Sequence, residues 1–255
     1  MYEKNLGKYR ERLFGLIDEE RIVCTEIPRP SKKIVDDLQA VKGLSSAVSD
    51  ALDAMGVNGA IAASVLRPLQ RGVTVVGPVV TLRYLFERLT PSRGFAEGRK
   101  GRMADRDAYA LAAPGDVVVF DMGGKIISGQ GGMSTAVALK SGIAATICDG
   151  GIRDVEEIRE QGLPVWARGV TPVSGKFRIE AAAINGPVLI DGIQVCPGDL
   201  CVADDTGICF VPVDKIEETH RRVMEIVKRE ERVMNAFQAG GNLKEVLEIL
   251  PASQW

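Results

Sequence analysis

Arg153, Asp154 and Glu157 stand close together in the segment AATICDGGIRDVEEIR, which spans residues 144–159. On a helix, positions 153 and 157 lie one turn apart and 154 and 157 lie three residues apart, so one guanidinium and two carboxylates can meet. Such a cluster of a cation and two carboxylates, where a strand ends and a helix begins, is arranged like a site. The same residues also fit plain local structure, because Asp154 followed by Glu157 resembles a capping box in which each side chain satisfies the other's backbone N–H. Taken alone, these residues leave both readings open.

The elements around them set the frame. Ala145–Cys148 is short, β-branched and apolar enough to be a buried strand, which Asp149-Gly150-Gly151 is expected to break before a helix over Asp154–Glu160. Upstream, Val117–Phe120 reads as an apolar strand ending at Asp121, and Met133–Lys140 as a helix closed by Gly142. Between them runs the glycine-rich stretch 123–132. Strand, loop, helix and strand in that order make a βαβ-type unit and point to an α/β fold.

The glycine stretch has two possible uses. Gly129, Gly131 and Ser134, with Asp149 at the end of the next strand, come near the dinucleotide fingerprint, but residues 122–128 separate the first glycine from its strand and Ser134 replaces the third glycine. Alternatively, the backbone N–H groups of Gly131, Gly132, Met133 and Ser134 at a helix start can cradle a carboxylate, using orphan donors and the positive end of the dipole. A simple connecting turn is the third option.

The rest of the chain is expected to be one α/β domain with helical ends. Leu6, Tyr9, Leu13, Leu16 and Ile17 recur at helical spacing, which predicts an amphipathic helix within residues 1–20. Ser31 should cap a helix through Leu38, and a further helix over Ser45–Met55, carrying Asp50 and Asp53, should close on Gly56. Strands are expected at Leu66–Leu69, at Val73–Val76 and, after a turn at Gly77-Pro78, at Val79–Tyr84. Residues 87–107 are polar, glycine-dotted and rich in arginine (Arg88, Arg93, Arg99, Arg102, Arg106), which predicts a surface loop that could grip an anionic substrate or a neighbouring subunit. Further strands follow at Leu163–Ala167 and between Pro187 and Cys209, then a long helix from Asp214 to about Ala236 and a last one over Leu243–Leu250. The expected division is a helical extension at 1–44, an α/β domain at 45–213 that carries the site and C-terminal helices at 214–255.

Composition excludes several classes. With 45% hydrophobic and 26% charged residues and a net charge of −2, the chain reads as an ordinary globule without a basic field for nucleic acid. Cys24, Cys148, Cys196, Cys201 and Cys209 form no disulfide framework, and their spacing fits no zinc pattern. A single histidine, His220, removes Ser-His-Asp and Cys-His catalysis. The start of the chain does not read as a signal peptide and no apolar run approaches membrane-spanning length, so a cytoplasmic location without membrane contact is expected.

Pro114–Val119, the glycine loop, Asp149-Gly150-Gly151-Ile152-Arg153-Asp154, Leu163-Pro164-Val165, Pro197–Leu200 and Ala203–Gly207 together resemble the family of 4-hydroxy-4-methyl-2-oxoglutarate aldolases and the regulator of ribonuclease E activity A. The resemblance covers roughly residues 45–227, and Arg153-Asp154 followed by Glu157 is similar to the aldolase branch. It implies a three-layer swivelling β/β/α domain assembled as homotrimers or homohexamers, with the site near a subunit interface. It also implies a metal-dependent lyase that cleaves or decarboxylates a small anionic 2-oxo acid. Asp154 would hold Mg²⁺ or Mn²⁺ mostly through water, Glu157 would order the metal's waters, Arg153 would bind the keto acid, and Gly131–Ser134 would cradle its carboxylate.

One position departs from the pattern. Many aldolase relatives carry an acid where this chain has Gly132, and Asp121, Asp149 or a neighbouring subunit's Asp50 or Asp53 are the substitutes the sequence offers. A non-catalytic, ring-shaped binding protein like the ribonuclease regulator is the alternative. A methyltransferase acting on demethylmenaquinone has less in its favour, since the glycine loop is no Rossmann fingerprint.

Overall fold

The computed structural model describes residues 3–240, Asn242 and Lys244. Of the helix expected over Leu243–Leu250, only Lys244 lies among them. Two 3₁₀ turns, Leu6–Lys8 and Glu19–Arg21, precede α1 (Lys32–Gln39) and α2 (Leu44–Asp53). Next come β1 (Ala60–Ala62), β2 (Arg67–Pro68), β3 (Val75–Phe86), α3 (Pro91–Ala96), α4 (Asp105–Leu111), β4 (Val117–Asp121) and β5 (Ser128–Gln130). After α5 (Gly132–Lys140), β6 (Ala145–Ile152), α6 (Val155–Gln161) and β7 (Val165–Val170) come β8 (Ile179–Ile184), β9 (Val188–Ile190), β10 (Ile193–Val195), β11 (Leu200–Ala203), β12 (Gly207–Val211) and α7 (Ile216–Gln238).

One large sheet runs in the order β1-β12-β11-β3-β4-β6-β7-β2, with β5 added beside β6 and β8 beside β3. Strands β3, β4, β6 and β7 are parallel neighbours, joined by crossovers that carry α3 to α6. Parallel strands of this kind are buried on both faces. Alternation along β4 shows it: Val118 and Phe120 enter one core with Tyr109, Ala138 and Ile158, while Val117 and Val119 enter a second with Trp166, Ile190 and Phe210. A third core packs α1, α2 and α7 on Val76, Val202 and Val211, so the N- and C-terminal segments form one helical layer.

Four expectations change. No helix spans the described residues 3–20. Tyr9, Leu13, Leu16 and Ile17 do pack on the core, but Gly15 interrupts the segment at φ 68°, and the amides of Phe14 and Leu16 donate to the buried Asp107 carboxylate at 2.5 and 2.6 Å rather than to helical carbonyls. Gly77-Pro78 makes no turn. The 12-residue β3 runs straight through it, pairing antiparallel with β11 up to Pro78 and parallel with β4 from Val79, and Gly77 is small because the Gly115 carbonyl lies against it. Asp149-Gly150-Gly151 does not end β6, which continues to Ile152; a Cβ at Gly150 would meet Met122 and the Lys125 carbonyl. Residues 87–107 are not one loop, since they contain α3 and the start of α4, and Arg102 bridges to Glu180 of β8.

Candidate functional site

The parallel strands deliver their carboxyl ends to one side of the sheet, the side on which open α/β sheets bind ligands. A cleft of ≈ 470 Å³ opens there. Gly129, Gln130 and Gly131 form its floor, Arg153, Asp154 and Glu157 one wall, and Met103, Asp105 and Arg106 another. Ser174 and Lys176, from the loop after β7, complete the rim.

Buried polar contacts lock the floor. Gln130 accepts from the Thr146 hydroxyl at 2.6 Å and donates to Thr135 at 2.8 Å, and Ser128 donates to its carbonyl at 2.8 Å. All four side chains are buried, where a satisfied network is rigid. The loop carrying Gly131 is thereby fixed against β6, and the Arg153 amide donates to the Gln130 carbonyl at 3.0 Å.

Asp154 sits at the N-cap of α6 but forms no capping bond. Its backbone is left-handed (φ 55°, ψ 44°), and the side chain turns away from its own helix. Instead, Oδ2 accepts from the Gly132 amide at 3.1 Å and pairs with Arg153 Nε at 3.3 Å. The capping box therefore does not form, and the strained backbone aims the carboxylate across the gap at the start of α5. Glu157 reaches the same place. Gln161, one turn further along α6, donates to Glu157 Oε1 and to the Gly132 carbonyl, each at 3.3 Å.

Both glycines of the loop are small for a reason. A Cβ on Gly131 would collide with the Asp154 carboxylate and crowd the Arg153 guanidinium, and a Cβ on Gly132 would fall inside the Glu157 carboxylate. In this chain, Glu157 fills the space a side chain at position 132 would take. Of the expected cradle, Gly131, Met133 and Ser134 line the cleft, while the Gly132 amide is committed to Asp154.

The other candidate acids lie elsewhere. Asp149 is bound to Arg168, which also holds Asp191 at 2.8 Å; burial raises the Asp149 carboxyl even so. Asp121 accepts from the Gly123 amide at 3.1 Å, and Asp50 and Asp53 belong to α2; none of these residues lines the cleft. A different carboxyl does. Asp105, the first residue of α4, is 7% exposed, and burial pushes its carboxyl up against the opposing pull of the Ser134 hydroxyl and Arg106. Sequence reasoning missed it because 87–107 was read as one polar loop. Ala108, Tyr109 and Leu111, all buried and at helical spacing after Asp105, were the available signal. Arg106 and Lys176 face the cleft without an ion pair among the described residues; Lys176 Nζ lies 4.9 Å from the centre of the Phe177 ring.

This architecture matches known proteins. Residues 45–210 fit the RraA-like family, described as Aldolase/RraA, and the chain belongs to that family. A protein of Halalkalibacterium halodurans that carries the provisional name 4-hydroxy-4-methyl-2-oxoglutarate aldolase is 32% identical over 66% of this chain and 72% of its own length. Protein DlpA of Legionella pneumophila is 31% identical over 87% of this chain, which spans only 36% of DlpA. Among solved structures, Streptomyces coelicolor RraAS2, described as an unusual member of the RNase ES inhibitor RraA family, superposes with a TM-score of 0.68 at 29% identity, covering 81% of this chain and 98% of its own. No helix among the described residues is long and apolar enough to cross a membrane.

Proposed function

We propose that this protein is a divalent-metal-dependent lyase that cleaves or decarboxylates a small anionic 2-oxo acid through a pyruvate enolate, as 4-hydroxy-4-methyl-2-oxoglutarate aldolases and oxaloacetate decarboxylases do. The observation that carries the reading is the convergence of Arg153, Asp154 and Glu157 on the amino end of α5, inside the cleft at the carboxyl ends of the parallel strands.

The donor set suits Mg²⁺ or Mn²⁺. Asp154 and Glu157 offer hard oxygens to an open cleft, and no group of three or more His, Cys, Asp or Glu able to hold a metal occurs among the described residues. An ion with one or two carboxylates and a shell completed by water and substrate is the usual manner of Mg²⁺. Asp154 would hold it, and Glu157 would order its waters, with Gln161 orienting Glu157. When bound, the cation supplies Lewis acidity to the substrate's keto oxygen.

The chain's own residues do the rest. Arg153 pairs with the substrate carboxylate and offsets negative charge as the enolate develops, in a cleft whose floor cannot reorganise. The free amides of Met133 and Ser134 at the positive end of α5 bind the same carboxylate. Arg106 and Lys176 raise the local concentration of an anion. The proposed assembly is a homo-oligomer, a trimer or hexamer, with the site near its interface, where Met133, 70% exposed at the cleft, and Val170, 62% exposed beside Arg153, would be covered.

Oxaloacetate decarboxylation tests the reading without knowledge of the physiological substrate. Turnover should require Mg²⁺ or Mn²⁺ and fall by about 10²-fold or more in Arg153→Ala and in Asp154→Ala. No turnover with either metal refutes the lyase and favours a binding protein related to RraAS2.

A further inference from the structure

The enolate becomes pyruvate when C3 is protonated, and an acid that does this on the enzyme has to sit in the cleft wall and hold a proton. Three carboxyls line the cleft: Asp105, Asp154 and Glu157. Asp154 is committed to the Gly132 amide and Arg153, and Glu157 is exposed and bound by Gln161. Asp105 differs from both. It lines the cleft with Met103 and Arg106, 7% exposed, with no ion pair among the described residues, and the Ser134 hydroxyl that acts on it lies 3.1 Å from Tyr109 Oη.

We propose that Asp105 is the catalytic acid that protonates C3 of the enolate, with Ser134 positioning its carboxyl. The assignment rests on the lyase reading. In oxaloacetate decarboxylation the C3–C4 bond breaks and CO₂ leaves. The bonding pair stays as the C2–C3 enolate, the Asp105 O–H proton moves to C3, and the resulting Asp105 carboxylate regains a proton from solvent. A buried carboxyl suits the role because desolvation disfavours its anion, so the proton is retained above the ordinary carboxylate range. The groups facing it are Arg106 and Tyr109 on its own helix, Tyr84 from β3 and Ser134 from α5; Arg153 and Lys176 stand elsewhere on the cleft wall.

The test separates cleavage from protonation. With the Mg²⁺-loaded full chain, exchange of pyruvate's methyl protons for deuterium is followed by NMR beside consumption of oxaloacetate. Asp105→Asn should slow exchange by about 10²-fold while oxaloacetate loss falls no more than about tenfold, since a released enolate ketonises in solution. Equal slowing of both, or exchange at the wild-type rate, overturns the assignment and leaves the lyase intact. Absence of both activities in the wild type overturns the lyase reading and this assignment with it. Should Asp105→Asn not fold, Ser134→Ala carries the test. Loss of the hydroxyl that pulls the Asp105 carboxyl down shifts the acid limb of the exchange profile, where Asp105 must be ionised to take the methyl proton, to higher pH, and an unmoved limb refutes the role.

Discussion

Replacing Asp154 by glycine and by alanine separates what its backbone costs from what its carboxylate does. At φ 55° and ψ 44° a residue with a Cβ carries about 1–2 kcal/mol of left-handed strain. Glycine relieves that strain but loses about 0.4–1 kcal/mol through the freer unfolded chain, for a net gain near ~0.5–1 kcal/mol. Either substitution deletes the bond from the Gly132 amide and the pair with Arg153, together worth about 1 kcal/mol at a side chain 39% exposed. Asp154→Gly should therefore melt within about 2 °C of wild type. Asp154→Ala, which keeps the strain and loses the bonds, should melt about 2–5 °C lower. Oxaloacetate decarboxylation should fall by about 10²-fold or more in both. Thermal unfolding at fixed pH, run beside the activity assay, reads the two effects independently. Equal destabilisation of the glycine and alanine variants would refute the claim that the backbone of Asp154 is strained to aim its carboxylate.

Two further outcomes follow from neighbouring contacts. Gly132→Ala puts a methyl where the flexible end of Glu157 lies, so the carboxylate should swing away with a melting shift under about 2 °C, while Mg²⁺ affinity weakens by about 10–100-fold; unchanged affinity in a metal titration would exclude Glu157 from ordering the metal's waters. Asp105 also links stability to pH. Its folded-state carboxyl is raised above the ordinary 3.8, so over the window just above that value the native state holds a proton that the unfolded state has lost, and wild-type stability declines as pH rises through it. Asp105→Asn should flatten that decline in urea midpoints measured across the window, and identical slopes would argue against a buried, protonated Asp105.

Much of this protein was legible in its sequence because the relevant physics is local. Ser31 caps α1, accepting from the Ile34 amide at 3.4 Å, and Gly142 closes α5 at φ 76°. The apolar run Val117–Phe120 is a buried strand, and Ile216, Val223 and Ile226 set the inner face of α7. The proximity of Arg153 and Asp154 was likewise set by adjacency in the chain. What only the tertiary structure decided depends on partners distant in sequence. Asp107 draws off the amides of Phe14 and Leu16 and so prevents the N-terminal helix that periodicity alone predicts. Pairing with β11 and β4 carries β3 through Gly77-Pro78, against local turn chemistry. The site shows the same division: spacing brought Glu157 toward Asp154, but the Gly132 amide, 22 residues away, decides where Asp154 points. Asp105 meets Ser134 only because the crossover between β3 and β4 folds α4 against α5, a contact that no pattern within residues 87–107 encodes.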